Sequence, residues 1–212
     1  MTVEIIAVGT EILLGNIVNT NAAYLAEKCA GLGLSCYHQD VVGDNEERLM
    51  ETIRLALTRA DIILLSGGLG PTQDDLTKEA AAKVMGKALY LHEPSREAIR
   101  QFFAERNLEI TENNWKQAMV PEGCTVVENP GGTAPGIIMA ENGKHVVLMP
   151  GPPGELIPMF ERSIMPYLAG LTSGVIYSQT VKICGVGESK AESMVEDLVD
   201  AQDNPTIATY AK

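Results

Sequence analysis

The chain has 212 residues, of which 45% are hydrophobic and 21% charged, the composition of an ordinary globular protein of one domain or slightly more. Lys+Arg 16 against Asp+Glu 28 leaves a net charge of −12, and aromatic residues make up only 5%. A duplex binder needs many phosphate-neutralising cations and a single-strand binder needs stacking platforms, so direct nucleic-acid binding is not expected. The longest apolar runs (Ile62 to Leu65, Val146 to Met149) are strand-sized, and Glu4 stands where a basic leader would begin. Neither a membrane span nor a signal peptide is expected, and the reading is a cytoplasmic protein. Cys29, Cys36, Cys124 and Cys184 show no CxxC or Cys/His spacing, which predicts reduced, mostly buried thiols and no zinc site.

Val3 to Val8 is a near-continuous apolar strand ended by Gly9. Ala22, Leu25, Ala26, Cys29 and Leu32 then fall on one face of a helix over 21–32, stopped by Gly31 and Gly33. Leu34 to Val42 reads as a second strand. Asp44 with Glu47 three residues on is a capping-box pattern, and Leu49, Ile53, Leu57 and Ala60 form the stripe of the next helix. Asp61 to Leu65 is the third strand. Helices are predicted over 74–85, 94–106 and 112–119. Two strands follow, Gly136 to Ala140 and Lys144 to Met149, joined by an Asn142-Gly143 hairpin turn. A helix over 152–168 completes the first domain. The expected fold is a three-layer αβα arrangement, its sheet mostly parallel with an added β-hairpin.

The first domain is placed at residues 1–170. Residues 171–212 read as the start of a small second α/β domain, cut short: a strand Val175 to Ile183, a helix Glu188 to Val199 and a strand Pro205 to Tyr210. The acidic stretch from Glu192 to Asp203 reads as a solvated face.

The chemistry is expected at strand ends. Ser66-Gly-Gly-Leu-Gly-Pro-Thr-Gln-Asp-Asp-Leu-Thr-Lys78 follows a buried strand and opens a helix, the edge at which open α/β sheets bind ligands. Gly67, Gly68 and Gly70 let backbone approach a ligand closely, and a helix start favours an anion. Thr72 or Asp74 could simply cap that helix. Two adjacent carboxylates, Asp74 and Asp75, would repel a phosphate unless a divalent cation bridged them. No Gly-Lys-Ser/Thr follows the glycines, so this is not a P-loop. Three further loops repeat the theme: Gly9 to Gly15 with Glu11, Asn129 to Gly136, and Met149 to Glu155. Together they suit a nucleotide or pterin better than an apolar ligand. His38, His92 and His145 lack a nucleophilic partner and read as structural, and Met149, Met159 and Met165 read as core filler.

These four segments, taken together, resemble the N-terminal part of the competence/damage-inducible protein A (CinA) family, a bacterial family with the molybdopterin-binding fold of molybdenum-cofactor biosynthesis proteins. The resemblance runs from about Thr2 to Leu168, and Val175 onward is similar to the small domain that follows in that family. It implies a metal-dependent hydrolase that splits ADP-ribose into AMP and ribose 5-phosphate, with Mg, Mn or Co as the cation. Carried onto this chain, Gly67, Gly68, Gly70 and Thr72 hold phosphate, and Asp74 and Asp75 hold metal. Glu11 is a further acidic candidate for catalysis, and Asn129, Gly132, Thr133, Gly151 and Gly154 shape the ligand's other side. The general base is unassigned, with Glu155 a candidate. The family's nicotinamide-nucleotide amidase domain is not represented in these residues, so deamidation is not expected.

Competing expectations keep the site and change its use: molybdopterin or nucleotide binding, molybdenum-cofactor chemistry, FAD hydrolysis, or a non-catalytic role in competence or the DNA-damage response through a protein partner. Copies of the chain are expected to associate as a homodimer or higher homo-oligomer, and Trp115 is expected outside the ligand site.

Overall fold

In a computed structural model, which describes residues 1–172 and 179–209, β1 (Thr2–Val8) lies between two parallel neighbours, β2 (Ser35–Val42) and β3 (Ile62–Ser66). A near-continuous apolar strand suits that place, since a parallel sheet is covered on both faces. β3 pairs in parallel with β8 (Lys144–Met149), β8 antiparallel with β7 (Gly136–Glu141), and β7 antiparallel with β6 (Thr125–Val127). The order β2-β1-β3-β8-β7-β6 is the mostly parallel sheet with a hairpin that the pattern predicts. Asn142 and Gly143 take φ of 51° and 75° at the hairpin turn, as its tight two-residue geometry demands.

Helices cover both faces. On one, Ile6, Ile63 and Leu65 pack with Leu49 and Ile53 of α3 (Glu46–Arg59) and Ala80 and Ala81 of α4 (Thr77–Val84). On the other, Ile5, Ile62 and Leu64 pack with Leu25 and Cys29 of α2 (Thr20–Gly31), Leu156 of α6 (Pro153–Met159) and Leu168 of α7 (Met165–Leu171). The helix expected over 152–168 is therefore divided. Pro158 removes one backbone donor, and a π turn over Phe160–Ile164 joins the two α segments. Met149 and Met159 are core residues.

Two helix starts differ from expectation. Asp44 does not cap α3; Asn45 does, accepting the Arg48 N–H at 3.1 Å. The helix expected from Asp74 begins only at Thr77, because the Asp75 carboxylate turns back onto Thr72. Short strands escaped the sequence as well. β4 (Leu89–Leu91) and β5 (Met119–Pro121) form an antiparallel ribbon beside α5 (Glu93–Glu105) and a 3-10 helix over Glu112–Ala118. His92 caps α5 by accepting the Ser95 N–H at 3.3 Å, and His145 pairs with the Tyr167 hydroxyl at 2.6 Å. Both are structural roles. Cys29 is buried, which pushes its thiol up to about 12, while Cys184 is exposed.

The chain divides into two compact units, Met1–Ile176 and Tyr177–Lys212. Among its described residues the second carries two short helices, α8 (Glu188–Ser193) and α9 (Glu196–Asp200), in place of the single helix expected. Of the strand expected over Val175 to Ile183, residues 175–178 lie outside the described residues and 179–183 are irregular. The strand expected from Pro205 is irregular through 209, and Tyr210 lies outside. A strand needs a neighbour to satisfy its backbone, and no ladder forms among this unit's described residues. Among the described residues no helix is long and apolar enough to cross a membrane.

Candidate functional site

β1, β3 and β8 run in parallel, so the loops that follow them emerge at one edge of the sheet. The loop into β7, antiparallel to β8, enters at the same edge. All four glycine- and proline-rich segments line one open cleft of about 820 Å³.

After β1 the chain makes a single turn, α1 (Thr10–Leu13). The Thr10 N–H and hydroxyl donate to Asp44 Oδ2 at 2.9 and 2.7 Å, tying this turn to the end of β2. Glu11 and Asp44 thereby reach the cleft wall. Beyond them Asn21 donates its side-chain N–H to the Gly151 carbonyl at 2.7 Å, joining the β1 loop to the β8 loop.

The loop after β3 forms the floor. Gly67 and Gly68 take φ of 102° and 65°. A Cβ on Gly67 would strike the Val8 carbonyl oxygen, and one on Gly68 would strike the Thr77 hydroxyl. The Gly67 N–H donates to Met149 and the Gly68 carbonyl accepts from Thr77, but the N–H groups of Gly68, Leu69 and Gly70 find no acceptor among the described residues. Leu69 is buried, so these are backbone donors partly removed from water, a condition that calls for a ligand. The fully buried Thr77 hydroxyl is also unpartnered. Neither Thr72 nor Asp74 caps α4: its N-cap is Leu76, with no side-chain bond. The Thr72 N–H donates to Asp75 Oδ2 at 2.9 Å, and its hydroxyl does so too. The Thr72 hydroxyl and Asp74's own N–H hold the exposed Asp74 carboxyl below its usual range.

The opposite wall is the segment before β7. Asn129 donates to the Ala134 carbonyl at 2.8 Å and to Glu155 Oε2 at 2.6 Å, which holds Glu155 of α6 against Gly132 at the cleft. Thr133 donates to Gln117 Oε1 at 2.8 Å.

Ten residues proposed from the sequence line the cleft: Glu11, Gly67, Gly68, Gly70, Asp74, Asp75, Gly132, Thr133, Gly151 and Glu155. Thr72, Asn129 and Gly154 do not line it. Thr72 braces Asp75, Asn129 braces Glu155, and Gly154 lies beside Glu155 in α6. Trp115 lies off the wall, with the Arg96 and Arg100 guanidinium carbons 5.3 and 5.6 Å from its ring centre. Asp44, Phe102 and Gln117 also line the cleft and were missed. In the sequence Asp44 reads as a helix cap, and the other two carry no local signal.

Carboxylates from separate elements surround the floor: Glu11, Asp44, Asp74, Asp75 and Glu155. Among the described residues no three His, Cys, Asp or Glu side chains gather as a ready-made metal cage. The donor set nevertheless fits a hard cation. Mg²⁺ is ordinarily held by one or two carboxylates and completed by substrate phosphates and water, and Asp75 keeps Oδ1 clear of Thr72.

Comparison with known proteins agrees with this architecture. Residues 4–170 match the family model "Probable molybdopterin binding domain", and residues 178–212 match "Damage-inducible protein CinA KH domain". A CinA-like protein of Dictyoglomus turgidum is 53% identical over all 212 residues, which cover 52% of that relative. The chain thus spans about half the length of the curated relatives it matches. The crystal structure of CinA from Thermoplasma acidophilum superposes with a TM-score of 0.74 at 36% identity, covering 79% of this chain and 99% of that one. A molybdopterin biosynthesis protein from Mycobacterium abscessus superposes with a TM-score of 0.52 at 16% identity, covering 80% of this chain and 92% of that one, a likeness of fold alone. With the molybdopterin-binding-type domain, the following CinA segment and these relatives all in agreement, the chain belongs to the CinA family.

Proposed function

We propose that the cleft binds a diphosphate-linked nucleotide and hydrolyses it, taking ADP-ribose to AMP and ribose 5-phosphate. The observation that carries this reading is the row of unpaired N–H groups at Gly68, Leu69 and Gly70 within a ring of carboxylates. Successive amide donors in a glycine-rich loop suit phosphate oxygens, and in a protein of net charge −12 they supply the attraction that bulk charge does not. A divalent cation (Mg, Mn or Co) held by Asp74 and Asp75 would neutralise phosphate oxygens and let diphosphate and carboxylates share the cleft.

The chain's own groups divide the remaining work. The glycine-loop amides hold non-bridging oxygens and stabilise charge that builds on them as water attacks phosphorus. In this reading Glu155, held by Asn129 at 2.6 Å, is the candidate to take the proton of the attacking water, and Glu11 closes the far wall.

The test is AMP release from ADP-ribose with each metal in turn, beside FAD and a molybdopterin substrate. Turnover that vanishes with chelator and returns with metal supports the reading. Tight nucleotide or pterin binding without turnover favours the second one, a binding module of the molybdenum-cofactor type, for which the fold likeness speaks. The reading includes a homodimer or larger homo-oligomer, and sedimentation showing only a 22.8 kDa species at micromolar concentration would remove that part.

A further inference from the structure

The helical insertion between β4 and β5 reaches under both walls of the cleft through two neighbouring side chains. Lys116 Nζ donates to the Thr72 carbonyl at 2.9 Å and also to the Asp75 carbonyl, so one ammonium grips both ends of the Thr72–Asp75 turn. Gln117 is 3% exposed; it donates to the Leu69 carbonyl at 3.2 Å and accepts from Thr133 at 2.8 Å. It therefore joins the glycine loop to the segment before β7. The grip is itself anchored. Lys78 of α4, 5% exposed, spends its ammonium on the Lys116 carbonyl rather than on a carboxylate.

These bonds fix more than position. A trans peptide is planar, so the carbonyl of one residue and the N–H of the next point in opposite directions. Gln117 holds the Leu69 carbonyl, which sets the Gly70 N–H. Thr77 holds the Gly68 carbonyl, which sets the Leu69 N–H. Those are two of the three donors left without an acceptor among the described residues. Burying a lysine and a glutamine to hold carbonyls carries a desolvation cost, and the return is a loop whose donors are aimed before any ligand arrives.

We propose that Gln117 and Lys116 are positioning residues, Gln117 fixing the direction of the Gly70 N–H and Lys116 holding the Thr72–Asp75 turn that follows it, and that together they set the cleft's affinity for a diphosphate. The inference rests on the anion-binding reading of this loop and goes beyond it by assigning the control of affinity to an insertion outside the parallel sheet.

Two ligand-free and ligand-bound measurements test it on the 212-residue chain. Amide hydrogen exchange in Lys116→Met and in Gln117→Leu should quicken about tenfold or more at Thr72, Asp75 and Thr77, the hydrogen-bonded amides of this loop, while β1, β3 and β8 keep their protection. Calorimetry with inorganic pyrophosphate and Mg²⁺ should show binding weakened about tenfold in each variant, the size of one lost hydrogen bond to a charged or buried group. Lys116→Arg should return affinity to within about threefold, since it keeps a cation with donors for both carbonyls. Variants that bind pyrophosphate as the wild type does, or that lose protection equally through the sheet, would overturn the proposal. If the wild type binds pyrophosphate and the variants bind it more weakly, but no AMP is released from ADP-ribose, the hydrolase reading falls and the positioning role stands.

Discussion

The loops that leave β1 and β3 start from neighbouring parallel strands, and both begin with glycine. Gly9, after β1, has extended backbone (φ 160°, ψ 124°) and donates its N–H to the Val42 carbonyl at 2.9 Å. A Cβ there would come nearest the carboxylate tip of Glu11, at 2.5 Å. Gly67, after β3, takes φ 102°, and a Cβ there would enter the Val8 carbonyl oxygen. Downstream the contrast continues: Leu13, Leu14, Ile17 and Val18 are each more than half exposed, whereas Leu69 is buried. Glycine at equivalent places in a fold can thus be a backbone requirement in one loop and merely room for a side chain in the next.

The largest effect expected from this contrast is at Gly67. Gly67→Ala should lower the unfolding free energy by about 3 kcal/mol or more, combining roughly 1–2 kcal/mol for a side chain at positive φ with about 1–3 kcal/mol for forcing atoms into a filled space. Denaturant melts would check it, and a variant as stable as the wild type would break the comparison. Nearly as large is the pH response of Lys78 behind the same loop, whose ammonium burial lowers to about 8. Below about 8 both folded and unfolded chains hold the proton. Between there and about 10.4 the unfolded chain holds a proton that the folded one has released, so this group's contribution rises with pH, by about 3 kcal/mol in all. It is fully present above the unfolded value and lost as pH falls through the folded one. Cys29 works the other way, because its raised thiol keeps a proton that the unfolded chain releases. The readout is therefore the difference between wild type and Lys78→Met melts from pH 7.5 to 10.5, which should move in the wild type's favour as pH rises.

What could be read beforehand follows from how local each determinant is. β1, β3 and β8 announce themselves because burial on both faces demands unbroken apolar runs, and the Leu49 and Ile53 stripe of α3 because one face meets the sheet. The glycine loops were legible because only glycine tolerates their close approaches. The three-residue strands of the β4–β5 ribbon were not, since so short a run fixes no period. Asp44 reads from the sequence as a cap because an Asp near a helix start looks like one, and here its carboxylate binds Thr10 in the β1 loop instead, as the Asp75 carboxylate binds Thr72. Gln117 was invisible because its partners lie 48 and 16 residues away.

Asp74 tests the chemical side of the β3 loop without touching its fold. It is exposed and caps nothing, and its carboxyl is held below the usual range, first by the Thr72 hydroxyl. It is therefore ionised throughout the neutral range. Asp74→Asn should leave the melt within about 0.5 kcal/mol of wild type, as surface substitutions do, while AMP release falls roughly a hundredfold, the upper end of losses around metal ligands. A variant that melts normally and hydrolyses at the wild-type rate would take Asp74 out of the metal site.

The smallest effect is expected at Gly9, where the two loops part most cleanly. Its backbone is one that alanine adopts without strain, and the Gly9 N–H bond to Val42 survives the change. The atoms nearest the added methyl group belong to the Glu11 carboxylate, the end of an exposed and flexible side chain that can move aside. Stability should change by less than about 1 kcal/mol, against the loss of about 3 kcal/mol or more at Gly67. Moving Glu11 from the cleft wall should still cost several-fold in turnover, with Asp74 and Asp75 in place. Paired melts and AMP-release assays on Gly9→Ala separate the outcomes. A large loss of stability would mean that the β1 loop is as constrained as its neighbour, and unchanged turnover would remove Glu11 from the reaction.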